Sequence, residues 1–598
     1  MPTTIEQPAA SEELQYTFIP SFAKGVNGSL EAHLIDQSEL SAVSNLRNLK
    51  GALELDYGYT TRGSTIRGNP RNETHFFKKD GTDFLILTTD LSVYVWDTTE
   101  DDWQYVSNGT DTTLTAAASA GATTITVASI TGFADGESIG VKLDSGKQHK
   151  TTVSGSPSGS TITLADAIPT GEAAAIGNKV VEAVLLAGVT DSGVYARVVP
   201  SHDWLVIVNG VNTPKRFDGS TCIDIPGLPS GVTTFVAKLV EVFHGYLCFL
   251  NVIENGVEKP QKIVRSDTGD PTNLSSGNAG SDNLFQSQGE IRAVSTLGPY
   301  MIVYKGGRGL KSHNIVRIEH VGTTDKIFQI DNVVENAGAV SGGAVVSVND
   351  VDYVMDVDKI YRYSGGFDID ILSNNINHLT FMNDGDLNPE RTGRVFGIFV
   401  KELREVWFFY PTGTNDIPTK VARYSIDNKS FLFRTFLSVV GASRFTPLQP
   451  DAWEDYTTNW EDWDLAWGQV LYDKNTDHIL LFGNNARVYI YDFSQTQDNG
   501  ADIAWSLETK NFFVPNKQLR IDRVEFRGKG TITVQFSKDG GSTYTAFTGS
   551  PFSLGSTLTT KKIFGGIVTD EFMIKFSGTG SPANIGWVGF RAKEESTT

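Results

Sequence analysis

Two neighbouring stretches of the chain concentrate aromatic and charged side chains in patterns suited to binding. Trp453, Trp460, Trp463 and Trp467 fall within residues 451–500, which hold ten Asp/Glu against two Lys/Arg. Indole faces bordered by carboxylates can take up sugar, and the same chemistry packs cores and subunit contacts. Residues 510–530 reverse the sign, with Lys510, Lys517, Arg520, Arg523, Arg527 and Lys529 against Asp522 and Glu525. Opposite patches on one chain suit ring assembly, where one subunit's acidic face meets a neighbour's basic face. The four tryptophans with Lys510, Arg520, Arg523 and Arg527 are therefore candidate subunit or partner contacts. A third cluster, Lys305-Gly306-Gly307-Arg308-Gly309-Leu310-Lys311, offers Lys305, Arg308 and Lys311 to DNA or another acidic partner.

Catalytic and cofactor motifs are absent. Gly140 to Gly146-Lys147 has the look of a phosphate loop, but Gln148 stands where Ser or Thr must ligate magnesium. The nine histidines form no H-x-H or H-E-x-x-H pair, and no G-x-S-x-G elbow occurs. Asp350, Asp352, Asp356 and Asp358 alternate with apolar residues and read as strand-edge and turn carboxylates, since a calcium loop needs glycine and more oxygen ligands in one turn. No catalytic, cofactor or metal residue is assigned, and the expectation is a chain that is not an enzyme. Ser537-Lys538-Asp539-Gly540-Gly541-Ser542-Thr543-Tyr544 resembles the Asp-box of sialidases and other β-proteins, with Tyr544 in place of the usual Trp. Ser537, Asp539, Gly541 and Thr543 are read as a structural turn, Asp539 accepting backbone N–H bonds where the glycines permit positive φ.

The elements that must carry these residues are strands. A short apolar strand runs into a polar turn, and an alternating strand then ends on an aromatic followed by Asp or Ser. The unit appears at 84–97, 204–219, 351–364, 405–425 and 479–492, and two more apolar strands, at 246–250 and 300–304, fall in the long gap. About seven units at spacings of roughly 50–60 residues match propeller blades, because one four-stranded blade cannot bury both faces alone. Residues 113–182, rich in Thr, Ala, Gly and Ser, interrupt the period as an inserted small β-domain. Residues 506–598 read as a C-terminal β-sandwich. The expected fold is thus all-β: an N-terminal arm (1–30), a propeller of about seven degenerate blades (31–112 and 183–505), the insert, and the sandwich. One helix is expected, starting at the capping-box-like Asp36-Gln37-Ser38-Glu39, with Leu40, Val43 and Leu46 at helical spacing and Gly51 as its stop.

Composition narrows the class. The 598 residues include 59 Gly, 2 Cys, 50 Lys+Arg and 70 Asp+Glu, for a net charge of −20. That charge opposes a wrapping embrace of DNA or an anionic membrane while leaving DNA free to slide past. Cys222 and Cys248 are expected to be reduced thiols. No basic residue precedes Lys24 and no apolar run follows Met1, so neither a secretory signal nor a membrane anchor is expected.

Leu34-Ile35-Asp36-Gln37-Ser38-Glu39-Leu40 is followed by Asn45-Leu46-Arg47-Asn48, Gly51-Ala52-Leu53 and Tyr57-Gly58-Tyr59. Further along stand Thr131-Gly132-Phe133-Ala134-Asp135-Gly136-Glu137, Phe243-His244-Gly245-Tyr246-Leu247, Arg265-Ser266-Asp267-Thr268-Gly269-Asp270-Pro271 and the turn at 537–544. On these segments and their order rests a resemblance to the β-propeller tail-tube nozzle or head-to-tail hub proteins of short-tailed bacteriophages. It implies a virion structural protein of the tail, made in the host cytoplasm, that forms a hexameric ring with itself below the portal or an adaptor protein. Such a ring conducts and retains double-stranded DNA, passing it without sequence preference, and docks tail fibres or spikes; no cofactor is implied. The alternative function is a propeller-type tail protein that binds or cleaves glycans.

Overall fold

Each recurring hairpin of the sequence forms the second and third strands of a four-stranded antiparallel sheet. In the computed structural model, which describes residues 15–188, 193–307, 312–323, 326–382, 385–445, 478–580 and 583–596, Trp204–Val208 pairs with Tyr195–Val199 on one side and Lys215–Phe217 on the other, and Cys222–Asp224 completes the sheet. Among the described residues seven sheets follow this plan as blades. Their innermost strands, in order, are Pro70–Phe77, Tyr195–Val199, Phe235–Phe243, Glu290–Leu297, Val345–Val348, Phe396–Val400 and Val439–Phe445. Each lies against the next, and the seventh lies against the first, so the blades close into a propeller.

The apolar second strands have a physical cause. A central strand of a blade faces a neighbouring blade on both sides, so it needs apolar residues at every position rather than at alternate ones. In blade 7, Leu480 and Phe482 pack toward blade 1 with Leu85 and Leu87, while Ile479 and Leu481 pack toward blade 6 with Trp407 and Phe409. The other seams are built alike: Ile86 meets Ile207, Val206 meets Phe249, Leu250 meets Val303, Tyr304 meets Tyr361, and Tyr353 meets Phe408 in the same clusters. Cys222 and Cys248 are buried in these seams as free thiols, and burial pushes the Cys222 thiol up to about 12.

The ring is closed by a strand from outside its own period. Gly58–Arg62 is the fourth strand of blade 7, with Tyr59 opposite Tyr491 and Arg62 opposite Val488. Gly58 has to be glycine, since a Cβ there would lie 1.9 Å from the carbonyl oxygen of Gln497. Just before this strand, Asp56 is fully buried beside two fully buried guanidiniums. Its carboxylate accepts from Arg423 Nη1 at 2.5 Å and from the Tyr491 hydroxyl at 2.9 Å, with Arg434 Nε at 3.2 Å. Arg423 is also held by Glu405 at 2.9 Å and Arg434 by Asp498 at 2.6 Å, while Trp407 Nε1 donates to Glu405 at 2.7 Å. Burial alone would raise the Asp56 carboxyl, but Arg423 and Arg434, with Tyr491 and the Tyr57 N–H, hold it below its usual range.

The N-terminal expectations are corrected here. Residues 15–19 are not part of an arm: Gln15–Ile19 is a strand paired with Asn584–Ser596. Residues 31–55 are not propeller either, because Ala42–Ser44 pairs with Ala504–Glu508 and Ala52–Leu55 pairs with Asn584–Ser596, placing both in the sandwich. Nor is there a helix after Asp36. Half of a capping box forms, the Asp36 N–H donating to the Glu39 carboxylate, but the Asp36 carboxylate accepts from the Ser38 N–H while the Glu39 N–H closes a turn on the Asp36 carbonyl, and the chain continues as strands. Leu40, Val43 and Leu46 are buried in one cluster with sandwich residues such as Phe576 and blade residues such as Phe408, and that burial overrides the local helical spacing.

The insert forms a sheet from Ser107–Thr113, Lys179–Ala183, Ser138–Lys142 and Gln148–Thr152, beside the pair Thr124–Thr126 and Thr161–Thr163. It has its own core, including Ile139, Ile162 and Val180. Lys150 anchors it to blade 1, donating to Ser64 Oγ at 2.7 Å, the Trp103 carbonyl at 2.7 Å and Asp102 at 3.2 Å.

Removing the charge of Asp56 leaves two guanidiniums short of a buried partner, a loss of about 3–5 kcal/mol. Calorimetry of Asp56→Ala should therefore show a clearly lower unfolding temperature, with Asp56→Asn intermediate because it keeps acceptor capacity. An unfolding profile identical to that of the unaltered chain would show that ring closure does not depend on this cluster.

Candidate functional site at the propeller axis

The innermost strands run parallel around the axis, and their first residues gather at one mouth together with the turns between second and third strands. A cleft of about 200 Å³ opens there, lined by Arg71, Asn72, Tyr195, Arg394, Phe396 and Asn484. A second cavity, of about 330 Å³, shares Tyr195, Gly343 and Gly397 with it and adds Arg197, Glu241, Ser295 and Ser347. The two make one axial space walled by blades 1 to 7.

Each polar group in this space is positioned by its surroundings. Arg197 Nε bonds to Glu241 at 2.9 Å, joining blades 2 and 3. Arg394 ends the short turn Pro389–Arg394 and donates to the Asp416 carbonyl at 3.1 Å. Phe396 stacks on Phe409, centroids 4.6 Å apart and planes within 13°. Burial raises the Tyr195 phenol, leaving a neutral hydroxyl at the cleft. Ser295 and Ser347 both bond to the carboxylate of Asp352, which also accepts from Tyr304 at 2.6 Å; the Ser347 bond is 2.6 Å long.

Asp352 corrects the reading of the aspartates as edge and turn groups, because it lies in the central strand Val351–Met355 and is fully buried; Asp356 does open the turn to the next strand, its N–H bonded to the Lys359 carbonyl, but is fully buried as well. Burial raises Asp352 against the pull of its three hydroxyl donors. Asp356 faces His313 Nδ1 at 2.6 Å in the seam of blades 4 and 5 and accepts from the Gly338 N–H at 3.0 Å. Burial works against a charge on His313, but Asp356 outweighs it and raises the imidazole. Glu73 sits behind the cleft wall, accepting from Ser443 Oγ at 2.5 Å. Its burial pushes the carboxyl up to about 8, opposed by Ser443 and Arg62.

The basic cluster is corrected more sharply. Lys305 is fully buried and donates to the carbonyls of Leu284 at 2.9 Å and Ser287 at 2.5 Å, so it is a strut and not a contact for DNA or an acidic partner. Arg308 and Lys311 lie outside the described residues, as do Trp453, Trp460, Trp463 and Trp467. Lys510 donates to the Ile35 carbonyl at 2.6 Å, tying the sandwich to the N-terminal segment. Arg520, Arg523 and Arg527 stand on one sandwich strand, Lys517–Lys529.

The turn at 537–544 is a network of local bonds. Ser537 Oγ donates to Asp539 at 2.6 Å and accepts from the Gly541 N–H at 2.9 Å, and Asp539 accepts from the Thr543 N–H and hydroxyl at 2.9 and 2.6 Å. Those bonds, first from Ser537 and then from Thr543, hold the Asp539 carboxyl down at about 2. Gly541 lies at φ +96°, which only glycine adopts freely. Tyr544, the departure from the usual Trp, carries Lys575 Nζ 4.8 Å from its ring centroid.

Sequence reasoning missed the axial residues. Tyr195, Arg197, Glu241 and Phe396 belong to no motif, and their signal is positional: each lies on the strand just upstream of a recurring apolar strand.

No family model matches the chain, and no curated protein matches it. Among solved structures it is similar to an exo-β-1,3-galactanase from Phanerochaete chrysosporium, with 10% identity and a TM-score of 0.22, covering 66% of this chain and 95% of that one. It is also similar to a glycoside hydrolase family 43 arabinoxylan arabinofuranohydrolase from Bacillus subtilis, with 12% identity and a TM-score of 0.21, covering 96% and 99%. No residue role transfers at such distance. These neighbours are glycoside hydrolases and not tail proteins, so the expectation of a non-enzymatic nozzle or hub in a phage tail has no counterpart in them and is not carried forward.

The Glu73 carboxyl supplies a test of the axial wall. In the folded chain it keeps its proton up to about 8, whereas its ordinary value is 4.5. Between those values folding binds a proton, so stability falls as pH rises through the window. Glu73→Gln should abolish that part of the decline, seen as a shallower loss of unfolding temperature from about pH 5 to about pH 8. An unchanged slope would mean that Glu73 ionises normally in the fold.

Proposed function

We propose that this chain is a glycan-binding propeller protein whose saccharide seat is the axial cleft. The observation that carries the reading is the convergence of two aromatic rings, Tyr195 and Phe396, with the planar polar groups of Asn72, Asn484 and Arg394 around one mouth. Sugars present C–H faces that pack on aromatic rings, and adjacent hydroxyls that pair with amides and guanidiniums. The deeper space adds Ser295, Ser347 and the Arg197–Glu241 pair, a supply of both donors and acceptors. A concave site with apolar walls and a few fixed polar groups is the usual form of a small-ligand seat.

Glycoside cleavage calls for two carboxyl groups flanking the bond. Among the described residues lining the axial space, Glu241 is the carboxylate, and Arg197 holds it. Binding is the step for which these side chains account, and hydrolysis is scored in the same experiment.

The test is calorimetric titration of the folded protein with a panel of oligosaccharides, with reducing ends assayed in parallel. Phe396→Ala and Arg394→Ala are each expected to weaken binding about ten-fold, the equivalent of 1.4 kcal/mol. The reading fails if no oligosaccharide binds, or if those that bind are indifferent to both substitutions.

A further inference from the structure

The outer face of one sandwich sheet pairs exposed aromatic rings with a surplus of cations. Across it, Tyr16 on the edge strand stands beside Arg591, Arg591 beside Arg523, and Arg523 beside Phe564. In the next outward row Phe18 is followed by Gly589, Glu525 and Lys562, and beyond it Trp587 stands beside Arg527. The inward row between the first two, Phe590, Val524 and Ile563, fills the core, so alternation turns the rows on either side outward, with Arg527, Lys562, Phe564 and Arg591 exposed and Glu525 buried among them. Phe564 is 75% exposed, Tyr16 46% and Phe18 44%. The rings along the edge are in mutual contact: Phe18 and Trp587 lie 5.3 Å apart edge to face, and Tyr16 and Phe18 6.3 Å apart.

We infer that this face binds an acidic polysaccharide, one bearing uronate or sulfate groups, as a second site distinct from the axial cleft. The ligand class rests on the glycan reading above; the site does not. Arg520, Arg523, Arg527, Lys562, Arg591 and Lys593 outnumber Asp522 and Glu525 here, on a chain whose net charge is −20. A neutral sugar needs no such excess, whereas spaced anionic groups do. Arg527 and Arg591 are exposed and make no ion pair among the described residues. Glu525, near the middle of the face, accepts from the Tyr16 hydroxyl at 3.4 Å and faces Arg523 at 2.6 Å. Glu525 is itself buried, so the face presents its cations outward, and the glycan reading above, not this carboxylate, sets the choice of a glycan over a nucleic acid.

Affinity electrophoresis of the full chain in gels containing polygalacturonate, dextran or single-stranded oligothymidylate separates the outcomes. Polygalacturonate should retard the protein in low salt and dextran should not, with retardation fading as salt rises. Arg527→Glu and Arg591→Glu, each checked for unchanged circular dichroism, should weaken it about ten-fold or more, and the milder Arg527→Gln less. Phe396→Ala at the cleft should leave it unaltered, so the two sites fail independently. The inference is overturned if polygalacturonate is not bound or dextran binds equally. It is also overturned if oligothymidylate is preferred, or if the charge reversals act by dissolving a self-associated form seen in light scattering.

Discussion

Closure of the ring depends on one buried charge cluster. Asp56 lies where the chain leaves the sandwich and enters the propeller, and it sits between Arg423 of blade 6 and Arg434 of the same blade's last strand. Two guanidiniums at zero exposure are tolerable only with carboxylates beside them, and Asp56, Glu405 and Asp498 supply these. Because Tyr57 alone separates Asp56 from Gly58–Arg62, fixing the carboxylate fixes the register of the closing strand. Tyr491, opposite Tyr59 in that pairing, also donates to Asp56, so strand and cluster specify each other.

With the ring closed, stability is distributed over seam clusters between neighbouring blades, each apolar on both sides. The seam of blades 5 and 6 differs, since it merges with the sandwich core through Phe22, Val26, Leu40 and Leu46. The N-terminal segment acts as a wedge between two modules. Its hydrogen bonds reach both ways: Val26 N–H to the Phe431 carbonyl at 3.0 Å and Ser41 N–H to the Glu508 carbonyl at 3.1 Å. The insert keeps its own core and meets blade 1 both through Val181 and Ala183, which are buried with Tyr94 and Trp96, and at polar anchors such as Lys150.

The distribution of charge matters more than its sum. Against a net −20, the axial space gathers Arg71, Arg197 and Arg394 around one carboxylate, and the sandwich face gathers another set of cations. Buried carboxyls are held in other ways, Asp352 by hydroxyls and Glu73 by Ser443 with its proton retained. The acidic excess is therefore not what lines the axis.

Local patterning made the blade hairpins, the insert and the 537–544 turn legible in the sequence, though not the N-terminal strands of the sandwich. Continuous apolar runs such as 479–482 could only be central strands, and the Thr-rich interruption at 113–182 read as a separate unit. Local rules also sufficed for the 537–544 turn, where every partner lies within a few residues. Tertiary structure decided what depends on distant partners. The residues at 36–39 made one of the two capping-box bonds, Asp36 N–H to Glu39, but burial of Leu40 and Leu46 against blades and sandwich forbade the helix. Lys305 looked like a surface cation until the carbonyls of Leu284 and Ser287 enclosed it. Tyr195, Glu241, Arg394 and Phe396 come from three different blades, and they form a site because ring closure brings the innermost strands of those blades to one axis. No spacing along the chain encodes that meeting, since it is set by the packing of whole sheets.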